Sequence, residues 1–317
     1  MAAEQSKQKV IFDHDGGVDD LLSLMLLLTM QHVELLAVTI TPADCYLSDA
    51  TVSTQKILAM FGQDHIPIAQ GRLHGINAFP AEWKAQPKIC NAFPDMLTQK
   101  FNSDSLSAKA ADELIAELLM QHDKVSLLMT GPCSNLVAAI EYLPAILPAI
   151  EQLIWMGGAV DVPGNVAMHN HNKSAEWNAY WDPIASAKLF TYGIEIKLIS
   201  LDATNCLPVN LSFLSDLAAQ KGNHVSHLAG QFWATTINSI PSYEFTYFMW
   251  DVLATSVLAL PSSAIKFEDV ELNVLISEPN AGQTYRCQGS GQWAKVATWV
   301  DKQQVLDYVL EQFKRDF

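Results

Sequence analysis

Residues 10–20 read VIFDHDGGVDD, an apolar run that stops in four aspartates, Asp13, Asp15, Asp19 and Asp20, wrapped around two glycines. The apolar residues 10–12 suit a short strand covered on both faces. Residues 21–30 continue as an almost wholly apolar helix entered through Asp19 and Asp20, where carboxylates favour the helix dipole. Strand, glycine turn and helix in that order predict the opening unit of an α/β fold. Four carboxylates within one turn repel one another, and close like charges return a proton to one of them unless a cation lies between. The stretch asks for a positively charged partner.

The rest of the chain repeats that alternation. ELLAVTIT (34–41) has no polar alternation, as expected of a strand buried on both faces, and a helix over about 46–61 follows. Residues 72–107 hold Pro, Asn, Phe and Trp with little periodicity and predict a long surface excursion, a kind of segment that is commonly functional. Leu114, Ile115, Leu118 and Leu119 mark one helical face, KVSLLMT (124–130) a strand, 134–142 a helix, and QLIWM (152–156) a strand ending at Gly157 and Gly158. After an irregular stretch, 159–179, the pattern predicts helix 183–190, strand 195–200, and helices near 211–219, 224–239 and 251–260. Strands near 270–276, 284–288 and 295–299 and a helix over 302–314 close the chain. The expectation is a single α/β domain over 1–317, with a mainly parallel (mixed) central sheet flanked by helices on both sides and a Rossmann-like core.

Half of the 317 residues are hydrophobic and only 17% are charged, which allows a large core. The formal charge of -15 repels phosphate backbones and anionic lipid, so neither nucleic acid nor a membrane surface is an expected partner. Cys45, Cys90, Cys133, Cys206 and Cys287 are odd in number and lack CxxC spacing, which predicts reduced thiols in a cytoplasmic protein. MAAEQSKQK at the start has no apolar core of a signal peptide, and the apolar stretch 21–28 is too short to span a bilayer.

Ligands of open α/β sheets sit at the carboxyl ends of the strands. The residues there are Asp13 to Asp20, Asp44, Thr130 with Gly131 and Pro132, the loop bearing Asn165, Glu176, Trp177 and Asn178, and Asp202. A helix cap accounts for Asp19 or Asp20 but leaves Asp13 and Asp15, whereas a hard cation, calcium or magnesium, accounts for a cluster of oxygen donors. An EF-hand is excluded, because the twelfth position from Asp13 is Leu24 where that loop needs a glutamate. His169 and His171 form an H-x-H pair without acidic or thiol partners at ligand spacing and read as polar loop residues. Most tryptophans are core residues, yet Trp83 lies in the aperiodic FPAEW (79–83) and Trp250 directly precedes Asp251.

Two families compete for the opening stretch. VIFDHDG with SLLMT resembles the haloacid dehalogenase phosphatases, magnesium enzymes, but Gly17 stands where their threonine would, and MGGAVD (156–161) carries one acid where they pair two. The chain more closely resembles the nucleoside hydrolases. Their D-x-D-x-x-x-D-D is present as Asp13, Asp15, Asp19 and Asp20, followed in order by TGPCSNLVAAI (130–140), IWMGGAVDVPGNV (154–166), AEWNAYWDP (175–183) and WD (250–251). DHDG, TPADC (41–45), NAFPAEW (77–83) and AEWNAYWD resemble the purine-preferring, inosine-adenosine-guanosine branch described in trypanosomes. Broader-specificity members carry a histidine, a proposed leaving-group acid, where this chain has Trp250.

That resemblance implies a homodimer that hydrolyses purine ribonucleosides in purine salvage. It also implies Ca2+ on Asp15, Asp20, Asp251 and the carbonyl of Thr130, with Asp13, Asp19 and Asp202 outside the ligand set. Glycosyl transfer through an oxocarbenium-like sugar needs a base, a ribose clamp and an activated leaving group. The corresponding residues are Asp15 as base toward a water acidified by calcium, Asn165, Glu176 and Asn178 on the ribose with Trp177 as its wall, and Trp83 and Trp250 stacked on the purine. Asp44 is implied at the purine edge, and Phe79 and Tyr247 lie in two segments expected to move over the ligand. A calcium-dependent nucleoside-binding protein without turnover is the non-enzymatic alternative.

Overall fold

A nine-stranded sheet runs through the computed structural model, which describes residues 6–237 and 246–315. The strands are β1 (Gln8–His14), β2 (Val33–Ile40), β3 (Ile68–Gln70), β4 (Val125–Met129), β5 (Ile150–Met156), β6 (Ile196–Ile199), β7 (Ile265–Val274), β8 (Thr284–Arg286) and β9 (Gln292–Val300). Their order across the sheet is β3-β2-β1-β4-β5-β6-β9-β7-β8. Pairing is parallel from β3 to β9, while β7 is antiparallel to both β9 and β8. The fold is therefore α/β with a mostly parallel sheet, as expected.

Residues that alternate along the central strands feed two separate cores. Val10 and Phe12 of β1, Leu128 of β4, and Ile154 and Met156 of β5 join one core with helices Val18–Leu28, Leu47–Met60, His224–Ile237, Trp250–Ser256 and Lys302–Phe313. Ile11, Leu127, Met129, Leu153 and Trp155 join the other with helices Ala111–Gln121, Ser134–Tyr142 and Pro183–Leu189. A strand used on both faces must be apolar throughout, which is why these segments read as continuous hydrophobic runs. Each such side chain contributes about 1.5–3 kcal/mol when buried.

The differences from the expected elements are local. β1 extends to His14, because β2 and β4 pair with it on both sides through Asp13. The helix after it starts at Val18, earlier than expected, and buries every residue from Val18 to Leu27. β3 has only three residues and lies at the sheet edge, too short for a periodicity signal. The excursion 72–107 contains short helices, Gln86–Cys90 and Pro94–Thr98, instead of being wholly irregular. The predicted helix 224–239 is present to Ile237; its last two residues lie outside the described segments. No described helix is long and apolar enough to cross a membrane.

Candidate active site

The parallel strands bring their carboxyl ends to one edge of the sheet, and a cavity of about 420 Å³ opens there. The thirteen residues that the resemblance assigns to base, metal or nucleoside all line it: Asp15, Asp20, Asp44, Phe79, Trp83, Thr130, Asn165, Glu176, Trp177, Asn178, Tyr247, Trp250 and Asp251. They come from loops after four strands and from two distant segments, 79–83 and 247–251.

The four opening aspartates divide into pairs of different use. Asp13 is wholly buried, accepts hydrogen bonds from Thr39 Oγ1 at 2.5 Å, Thr41 Oγ1 at 3.0 Å and Asn135 Nδ2 at 2.9 Å, and does not line the cavity. Burial pushes its pKa up to about 6. Asp19 is also turned into the protein: Oδ2 accepts the main-chain N–H groups of Asp251 at 2.6 Å and Val252 at 3.1 Å, and Oδ1 accepts Trp233 Nε1–H at 3.2 Å. Burial raises its pKa to about 7. Asp202 holds the turn after β5 by accepting the N–H groups of Val160 and Asp161.

Asp15 and Asp20 face the cavity. Asp20 accepts Gly17 N–H at 2.7 Å and Thr130 Oγ1–H at 2.5 Å, so the first turn of its helix and the turn after β4 are locked together. Asp15 Oδ2 is buried with no hydrogen-bond partner. Burial, then the charges of Asp20 and Asp44, push the Asp15 carboxyl well above the usual range. Burial and the charges of Asp20, Asp19 and Asp15 do the same to Asp251. Two glycines permit this crowding: a Cβ on Gly131 would stand 2.8 Å from Asp15 Cβ, and Gly16, at φ +87°, has Cys45 Cβ 2.7 Å from its own Cβ position.

Glu176 caps the helix Trp177–Trp181, its oxygens accepting the N–H groups of Asn178 at 2.8 Å, Ala179 at 3.2 Å and Gly158 at 3.0 Å; burial raises its pKa to about 7. Asn178 Nδ2 donates to the carbonyls of Thr130 at 2.9 Å and Met156 at 3.2 Å, tying the ends of β4 and β5. Asn165 Oδ1 accepts Trp177 N–H at 3.2 Å. The aromatic residues form two groups. Phe79, Trp83 and Trp177 pack with centroid distances of 5.2–6.3 Å, and Trp250 packs on Tyr247 at 4.6 Å and Phe248 at 5.8 Å. Tyr247 is buried, its Oη accepting Asp19 N–H at 3.2 Å.

The donor set suits a hard cation: carboxylates of Asp15, Asp20 and Asp251, one with an unpaired buried oxygen, and the carbonyl of Thr130 beside them. Among the described residues no three acidic, histidine or thiol side chains are drawn together as a finished cage, and the charges of Asp15 and Asp20 act against that of Asp251. His171 is structural, its Nε2 against the carbonyl of Ala281 at 2.9 Å and its Nδ1 accepting Lys173 N–H, in keeping with the polar-loop reading. Glu82, Gln86, Asn205, Thr235, Thr236 and Phe248 line the cavity but carried no sequence signal, except that Phe248 lies two residues before Trp250.

An acidic floor under aromatic walls, at the carboxyl edge of a parallel sheet, defines an α/β protein built to hold a ring-bearing polar ligand. The chain belongs to the inosine-uridine preferring nucleoside hydrolase family, which it matches over residues 10–307. A crystal structure of the inosine-uridine preferring nucleoside hydrolase from Bacillus anthracis superposes with a TM-score of 0.90 at 34% identity, covering 97% of this chain and 99% of that one. The purine-preferring ribonucleoside hydrolase of Gardnerella vaginalis shares the fold with a TM-score of 0.81 at 21% identity, covering 97% and 98%. Curated relatives include the probable uridine nucleosidase 1 of rice, 23% identical over 92% of this chain and 89% of its own length. A pyrimidine-specific ribonucleoside hydrolase of Shigella flexneri is 25% identical over 88% and 86%. The phosphatase resemblance falls with this match. Asp13, the first acid of its D-x-D-G, is also sealed away from the cavity.

Proposed function

We propose that this nucleoside hydrolase cleaves the N-glycosidic bond of purine ribonucleosides to free base and ribose and prefers them over uridine. The observation that carries the reading is the cavity itself, in which Trp83 and Trp250, from two separate aromatic groups, accompany the floor of Asp15, Asp20 and Asp251. A bicyclic base covers more of two indole faces than a pyrimidine does, and indole faces attract a base that gains positive charge as it leaves.

Asp15, Asp20, Asp251 and the Thr130 carbonyl would hold Ca2+, which when bound acidifies water and fixes vicinal ribose hydroxyls. Asp15 takes the proton of the attacking water at Oδ2, the oxygen without a partner. Glu176 offers negative charge to the sugar as it becomes cationic, and Asn165 and Asn178 fix it through their amides. Asp44 faces the base edge, Phe79 and Trp177 wall the site, and Tyr247 holds the segment leading to Trp250. Purine salvage by a cytoplasmic homodimer is the setting that this reading fits.

The test incubates the protein with inosine or uridine, with and without a calcium chelator, and measures free base. Faster release from inosine, lost on chelation, is expected. Equal rates on both nucleosides overturn the purine preference, release that survives chelation overturns the calcium site, and inosine binding without release overturns hydrolysis.

A further inference from the structure

Gln86 is held in one orientation by the main chain. Its Oε1 accepts Val18 N–H at 2.9 Å, and because an N–H meets only an acceptor, the amide oxygen is fixed there and Nε2 is directed elsewhere. Nε2 has no hydrogen-bond partner among the described residues, and Gln86 lines the cavity. Asp44 lines the same wall with its buried Oδ1 unpaired. The position a Cβ on Gly17 would take lies 3.4 Å from Asp44 Oδ2 and 3.7 Å from Gln86 Oε1, so a carboxylate and an amide flank one glycine. Trp83 precedes Gln86 by three residues across the 3-10 turn Trp83–Ala85, a spacing that sets both on one face of the turn.

We propose that Gln86 and Asp44 together read the edge of the base whose face lies on Trp83, with Gln86 Nε2 donating to a carbonyl oxygen and Asp44 accepting the adjacent ring N–H. The proposal rests on the hydrolase reading above and deepens it to a substrate class, the 6-oxopurine ribosides. An acceptor beside a donor complements the lactam edge of hypoxanthine or guanine, N1–H next to C6=O. A 6-aminopurine presents the opposite order, setting Asp44 against the N1 lone pair and Gln86 against an amino N–H. Unpaired or opposed polar groups in a closed site are what discriminate substrates strongly. Gln86 also touches the first turn of the helix bearing Asp19 and Asp20, so base recognition and the acidic floor share one residue.

The experiment compares kcat/KM of the wild type, Gln86→Met and Gln86→Glu on inosine, on purine riboside, which lacks the 6-oxo group, and on nitrophenyl riboside, which has no base edge. Methionine removes the donor without adding charge, and glutamate keeps an acceptor for Val18 N–H while removing the donor. Both variants are expected to lose about tenfold on inosine, the size of one hydrogen bond to the transition state, with losses on the other two substrates several-fold smaller. Equal losses on inosine and purine riboside, or inosine turnover held within about threefold, overturn the role of Gln86 and leave the hydrolase reading standing. A wild type that cleaves none of the three ribosides overturns the hydrolase reading itself, and the proposal with it.

Discussion

Asp19 Oδ2 accepts the main-chain N–H of Asp251 at 2.6 Å, so the first turn of helix Val18–Leu28 sets the position of the first turn of helix Trp250–Ser256. An acid outside the proposed ligand set thereby places one inside it. Asp19→Ala leaves the N–H groups of Asp251 and Val252 and the indole of Trp233 without an acceptor, each costing about 1–3 kcal/mol when buried. The expected outcome is a loss of several kcal/mol in chemical denaturation and weaker calcium binding by calorimetry, with Asp19→Asn less affected on both. Wild-type stability in the alanine variant would show that Asp19 does not hold that helix.

Asp15 stores the opposite trade. Its Oδ2 is buried and unpaired, and burial with the charges of Asp20 and Asp44 pushes its proton affinity up, so the metal-free protein is strained there. Asp15→Asn removes a repelled charge at nearly constant shape. The metal-free variant should gain on the order of 1 kcal/mol in stability while turnover falls about 10²–10⁴-fold, the usual worth of a general base. Activity near that of the wild type would remove Asp15 from the mechanism.

The acidic floor was legible because four aspartates in eight residues have no ordinary structural use together, and the apolar runs 10–12, 124–130 and 152–156 were legible because strands covered on both faces cannot alternate. Which aspartates serve the cavity and which the frame was not readable from spacing. That division depends on the partners of Asp13 and Asp19, Thr39, Asn135, Trp233 and Asp251, up to 232 positions away. β3 and Gln86 were invisible for a related reason. Three residues at a sheet edge have no period, and a lone glutamine in an aperiodic stretch acquires meaning only when Val18 N–H fixes its amide.

Burial raises the pKa of Asp13 and Asp20 to about 6 and of Asp19 and Glu176 to about 7. The unfolded chain releases these protons near pH 4, so between about pH 4 and 7 the folded protein holds more protons than the unfolded one. Stability in the presence of a chelator must then fall as pH rises through that window, and Asp15, Asp44 and Asp251, whose carboxyls burial and neighbouring charges also push well above the usual range, add to the fall. Calcium competes with those protons, and at one hundred times its Kd it adds about 2.7 kcal/mol. Melting curves at pH 5 and 7.5 should give a lower Tm at the higher pH in chelator, with the gap reduced or reversed in calcium. A Tm in chelator that rises from pH 5 to 7.5 would contradict this account of the carboxylates.

Trp83 packs edge-on against Trp177 at 5.3 Å and lies in a different aromatic group from Trp250, so its removal alters one wall and leaves the acidic floor in place. If its indole stabilises the purine as positive charge develops, Trp83→Ala must slow purine release more than hydrolysis of a riboside whose leaving group needs no activation. Inosine turnover is expected to fall by at least about tenfold more than nitrophenyl riboside turnover, equivalent to a cation–π contact of about 1–2 kcal/mol. Trp83→Phe, which keeps a weaker aromatic face, should fall between the two. Equal losses on both substrates would assign Trp83 to positioning the sugar, and the purine preference would then have to come from the base edge read by Asp44 and Gln86.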